Sequence, residues 1–201
     1  MAPGTDDTTD NLGAGHRAFS RWAIVSPVAV LGSGGYARRM GEPVEPTEML
    51  GLPAFGFAEP GDLREEVTAL VLAGTKLATA SLGVDDVIDG QALPEVGERS
   101  IVYDSAARPV AIIETTRIRL ATMALVPDDF ARAEGEGYRD AADWRVAHER
   151  YWNRSLDEYR RDLHDPGFRL TDSTIVVCEW FRLVARLDPV SGAEIAAAER
   201  P

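Results

Sequence analysis

Twenty of the 21 basic residues in this 201-residue chain are arginine; the one lysine is Lys76. Arginine serves surface charge and salt bridges at least as well as lysine, but it does not give up its proton. A single surviving lysine therefore draws attention as an amine kept for chemistry rather than for charge. Lys76 sits in Gly74-Thr75-Lys76-Leu77-Ala78-Thr79-Ala80-Ser81, which gathers an amine and the Thr79 and Ser81 hydroxyls within one short stretch. The bland alternative is a solvated cation at a helix end, where the macrodipole favours positive charge.

Three other groups could join it. Ala133-Glu134-Gly135-Glu136-Gly137 reads as an extended glycine loop, in which Glu134 and Glu136 point the same way. Such paired carboxylates suit acid–base work or the binding of substrate hydroxyls, although a solvated acidic turn is commoner. Glu114 and Glu179 each interrupt the apolar face of a strand, so each must line a polar cavity or pair with a buried arginine. Trp144, His148, Tyr151 and Trp152 lie close together on a helical wheel. That stripe is either core or one wall of a pocket that stacks bases.

The elements that must place these groups are legible in part. Residues 1–50 read as an N-terminal extension with Asp/Thr clusters, the run Gly32-Ser33-Gly34-Gly35 and a Pro/Glu stretch. That glycine run lacks the Lys-Ser/Thr ending of a phosphate loop. A helix should start at Asp62, with Asp62 as N-cap and Glu65 at the third position, and stop at Gly74. Leu77–Leu82, Arg99–Asp104, Pro109–Leu120 and Thr174–Arg186 read as strands. Ser105–Arg108 forms a hairpin, Asp128–Arg132 a short helical turn and Ala141–Tyr159 one longer helix. With no regular strand–helix alternation, the expectation is an α+β domain over residues 51–186, its sheet a small β-barrel, with a tail at 187–201.

The acidic balance, 33 Asp and Glu against 21 Lys and Arg for a net charge of −12, argues against bulk binding of nucleic acid, and no DNA partner is expected. A lone Cys178 and scattered histidines leave no thiolate zinc site, and no metal or cofactor is expected. The most apolar stretch, Trp22–Leu31, is too short to span a bilayer and carries Pro27. Asp6, Asp7 and Asp10 stand where a secretory signal would be basic, so the expected location is cytoplasmic.

Leu72-Ala73-Gly74-Thr75-Lys76-Leu77-Ala78-Thr79 resembles the G-x-K-x-x-T signature of ASCH domains, members of the PUA-like superfamily. The resemblance continues in order through Leu93–Gly97, Ala111–Thr116, the Glu134/Glu136 loop with Trp144 and His148, and Val176–Phe181. It spans roughly Phe55 to Val184 and matches a longer bacterial branch. It implies a small PUA-like β-barrel flanked by helices around a cleft, and a nucleoside or RNA ligand. It also implies an amidohydrolase that removes the acetyl group of N4-acetylcytidine, with Lys76, Thr79 and Glu136 as catalytic residues. Ser81, Glu114, Glu134, Trp144, His148 and Glu179 are the expected substrate-binding residues. A non-catalytic RNA-binding module and a ribonuclease are the competing readings.

Overall fold

The computed structural model describes residues 51–90 and 92–195; the expected extension at 1–50 and residues 196–201 lie outside it. Its elements run β1 (Ala54–Phe55), α1 (Asp62–Ala73), β2 (Ala78–Leu82), α2 (Gly83–Asp89), β3 (Arg99–Tyr103), β4 (Pro109–Thr122), α3 (Asp128–Ala133), α4 (Ala141–Trp152), α5 (Leu156–Asp162), β5 (Ile175–Leu187) and β6 (Glu194–Ile195). The α+β expectation holds.

The strands form one mixed sheet in the order β1-β3-β4-β5-β2, with β6 added to the end of β5. β1 pairs parallel to β3, and the remaining pairs are antiparallel. No pairing joins β1 to β2 among the described residues, so the path is open where a barrel had been expected. Long β4 and β5 supply its centre, and their register shifts twice, at Val184 of β5 opposite Ile112–Ile113 and at Thr116 of β4. Bulges bend and twist a strand. The one at Thr116 separates β4 into two segments, with Val110, Ala111 and Ile113 in one core and Ala121 in the other.

Each face of the sheet packs a core. Val176 and Cys178 of β5, with Ala78 and Leu82 of β2, join Phe130 of α3 and Trp144 and Trp152 of α4. Phe181 of β5, on the opposite face by strand alternation, joins Phe55, Phe57 and the α1 residues Val67 and Val71. The helices therefore lie on both sides of β5, and the β2 edge is where the two layers meet.

Two helix expectations need correction. Gly61, not Asp62, caps α1: the Gly61 carbonyl accepts from the Glu65 amide at 3.2 Å, which puts Asp62 inside the helix. The Glu65 carboxylate accepts instead from the Ser105 amide of the β3–β4 hairpin. The helix expected over Ala141–Tyr159 is broken by a 3₁₀ turn at Asn153–Ser155. Asn and Ser compete with the helix for its own backbone groups, and the chain turns there after Trp152 is buried.

Candidate functional site

Lys76 is held by the end of α1. Gly74 takes the left-handed conformation, φ 74°, that an L side chain resists, and its amide bonds back into the last turn. The Thr75 and Lys76 amides both donate to the Leu70 carbonyl. The next amide, on Leu77, donates to the Ala133 carbonyl at 2.8 Å, and the Leu77 carbonyl accepts from Phe181 of β5. The turn is thus pinned between the sheet and the acidic loop that follows α3.

That loop lies directly on the turn. Gly135 adopts φ 69°, and a β-carbon there would fall inside contact distance of the Thr75 carbonyl and 2.9 Å from Lys76 Cα. Glycine alone permits this approach. The result is that the Glu134 and Glu136 side chains both reach the same amine. Lys76 Nζ lies 2.5 Å from Glu136 Oε1 and 3.5 Å from Glu134 Oε2. The face of Phe57 lies 5.6 Å from Nζ, within range of a cation–π contact. Lys76 is only 2% exposed, so the solvated helix-end reading is excluded.

The two carboxylates differ. Glu134 is buried, and each oxygen is engaged: Oε1 accepts from Trp144 Nε1 at 3.0 Å, and Oε2 faces His148 Nε2 at 3.4 Å as well as the amine. Burial alone would raise its pKa, but the Lys76 charge, the His148 ring and the Trp144 N–H outweigh that and lower it to about 2. Glu136 has a side chain 20% exposed and accepts from the Tyr138 hydroxyl at 3.0 Å through Oε2. Burial and the neighbouring Glu136 and Glu134 charges push the Tyr138 phenol upward, so it serves as a donor.

Behind the carboxylates stand the aromatics of α4. The His148 ring stacks on Trp144 with centroids 4.2 Å apart, and its Nδ1 bonds the Trp144 carbonyl at 3.0 Å. Trp144 is fully buried against Phe130 and Trp152, so its ring is core and its N–H belongs to the site.

The structure joins Lys76, Glu134, Glu136, Trp144 and His148 in one network. Thr79 lies on β2 directly opposite Glu179 of β5, so their side chains share a face. Glu179 is buried and accepts a short hydrogen bond from Thr115 Oγ1. Among the described residues no hydrogen bond ties Thr79 to Lys76 or Glu136. Ser81 is buried two residues further along β2, opposite Val177.

Glu114 stands apart. It pairs with Arg99 at 2.8 Å and Arg182 at 2.7 Å, its cross-strand neighbours on β3 and β5, and those arginines are exposed rather than buried. Tyr138 and Phe57 are site residues that the sequence reading missed. A tyrosine two positions after a carboxylate was the available signal for the first; Phe57 had none, since only the folded sheet brings it under the amine. No group of His, Cys, Asp and Glu suited to a metal ion occurs among the described residues.

An open α+β sheet with a buried lysine gripped by a glycine-hinged acidic loop defines a class, and the comparisons identify it. The ASCH domain family model matches residues 54–185, and the chain belongs to that family, whose fold is PUA-like. The structure is similar to an ASCH domain from Lactobacillus crispatus JV V101, at 30% identity and TM-score 0.56 over 65% of this chain and 78% of that one. It is also similar to a protein of Enterococcus faecalis V583, at 27% identity and TM-score 0.56 over 66% of this chain and 75% of that one. No curated protein matches the sequence. No described helix is long and apolar enough to cross a membrane.

Proposed function

We propose that this ASCH domain is a hydrolase that cleaves the amide of an acylated nucleoside, of which N4-acetylcytidine is the simplest case. The observation that carries the reading is the Lys76–Glu136 pair: a buried amine touching a carboxylate that retains access to solvent. Glu136 accepts a proton from water as the water oxygen bonds to the acyl carbon. Lys76, as an ammonium, stabilises the developing oxyanion. Thr79 orients the water or the acyl group. When the C–N bond breaks, the proton held by Glu136 passes to the departing exocyclic nitrogen, leaving a carboxylic acid and the free nucleoside. Glu179, on the same face of the sheet as Thr79, supplies an acceptor of the kind a base requires. The resemblance in the G-x-K-x-x-T run supports the same assignment.

The test is acetate release from a panel of N4-acylated cytidines by the wild-type chain and by Glu136→Gln and Lys76→Met. Both variants should lose about 100-fold or more in kcat/KM while retaining the far-UV spectrum of the parent. An inert wild-type protein, or variants that turn over at full rate, rejects the reading. Cleavage of labelled RNA would establish the ribonuclease instead, and salt-sensitive RNA binding without turnover the non-catalytic module.

A further inference from the structure

One amine facing two carboxylates raises the question of what each carboxylate is for. A buried ammonium is tolerated only while it is paired, and stripping its partner costs several kcal/mol. If Glu136 were the sole partner of Lys76, every proton it accepted would leave that ammonium uncompensated in a dry site. The reaction proposed above would then oppose itself. The structure holds a second carboxylate in the right place. Glu134 Oε2 lies 3.5 Å from Nζ, and the group is fixed at both oxygens by Trp144, His148 and the lysine. Among the described residues Glu136 is held by Lys76 and Tyr138 alone, and it has the more exposed side chain.

We infer that the two carboxylates divide the work: Glu134 is a positioning residue, the permanent counter-ion of Lys76, and Glu136 is the exchangeable partner that can take a proton or turn to a substrate. Trp144 and His148 act through Glu134. His148 fits that role because its Nδ1 faces the Trp144 carbonyl while Nε2 faces the carboxylate, which fixes the ring between α4 and Glu134. The inference rests on the hydrolase reading for its purpose, but not for its test.

The chain offers a probe that needs no substrate. Lys76 is its single lysine, so protein labelled with nitrogen-15 lysine carries one side-chain ammonium signal. In wild type this signal should be sharp, because a buried, paired ammonium exchanges slowly with water. Glu136→Gln should retain it. Glu134→Gln should lose it to exchange or shift it strongly. Loss in Glu136→Gln with retention in Glu134→Gln overturns the inference, as does equal behaviour of the two variants. Should near-UV circular dichroism find Glu134→Gln unfolded, Trp144→Phe decides: it removes the N–H that anchors Glu134 and leaves both carboxylates in place. Faster ammonium exchange then supports the inference, and an unchanged signal refutes it.

With an active wild type, the acid limb of the kcat/KM profile gives a second readout. The groups facing Glu136 are Lys76 from the α1–β2 turn and Tyr138 and Glu134 from its own loop, with His148 of α4 behind Tyr138. In Glu134→Gln the acid limb should move to lower pH, since Glu136 becomes the only partner of the ammonium and holds its charge more tightly. A stationary limb, or one that moves to higher pH, rejects the division of roles. Absence of turnover in wild type rejects the hydrolase reading alone and leaves the ammonium result standing.

Discussion

Gly135 rests on the Thr75–Lys76 peptide so closely that a β-carbon has nowhere to go. Its positive φ adds a second reason for glycine. Gly135→Ala must therefore strain the loop, shift the turn, or both, and either response moves Glu134 and Glu136 relative to the amine. Left-handed alanine and an overpacked contact together should cost about 2–4 kcal/mol. Thermal unfolding monitored by circular dichroism should show a drop of several degrees in the midpoint. A midpoint unchanged from wild type would mean that the loop does not sit on the turn.

Acid should loosen the site through Glu134. Its folded pKa is lowered to about 2 from an ordinary 4.5, against the pull of burial, by Lys76, His148 and Trp144. A group whose pKa is depressed on folding stabilises the folded state above its unfolded pKa and loses that stabilisation as pH falls toward its folded one. The contribution, on the order of a few kcal/mol, is thus complete near neutral pH and drains away between about 4.5 and 2. Urea titrations across that window should give a shallower decline in stability for Glu134→Gln than for wild type. Parallel declines would show that the depressed carboxyl is not Glu134.

How far the sequence foretold this arrangement differs from residue to residue. Lys76 was legible because the chain uses arginine everywhere else, and uniqueness needs no geometry. The convergence of Glu134 and Glu136 was legible because glycines flank and separate them, although the loop turns at Gly135 rather than running extended. Glu114 was misplaced for a physical reason. The β4 pleat runs unbroken from Ala111 to Thr115, with Ala111, Ile113 and Thr115 on the buried face; Glu114 shares the other, half-buried face with Ile112, where its cross-strand neighbours are the exposed Arg99 and Arg182. The openness of the sheet was beyond reach, because which edges pair depends on contacts remote in sequence. Short β1 and α2 gave no periodic signal; the amide of Leu82, the α2 cap, is satisfied by the Asp85 carboxylate, a contact that apolar Leu82 does not advertise.

Cys178 should be inert in the folded protein. It is fully buried on β5 in the core layer that holds Trp144, and burial, with Glu134 nearby, raises its thiol to about 12. A thiol reacts through its thiolate, so both access and ionisation are withheld. A disulfide-exchange reagent should modify less than a few per cent of the native protein in the time that labels the urea-unfolded chain completely. Rapid labelling without denaturant would place Cys178 outside the core. The slow labelling that does occur reports opening of the sheet, which makes this residue a built-in gauge of local stability.

The Lys76–Glu134 contact lends itself to a double-mutant cycle. Lys76→Met strips the cation and leaves Glu134 a buried carboxylate with only Trp144 and His148 to compensate it. Breaking a buried pair from one side costs about 3–5 kcal/mol, most of it the penalty of the orphaned charge. Glu134→Gln errs in the other direction, but Glu136 still faces the amine, so its cost should be smaller. The double variant removes both charges and leaves an apolar chain beside Phe57 and an amide that can still accept from Trp144. Denaturant titrations should find it markedly more stable than Lys76→Met alone, with a coupling of about 1–3 kcal/mol. Simple additivity of the two single costs would show that the buried amine and Glu134 do not depend on one another, and the network would then have to be redrawn around Glu136.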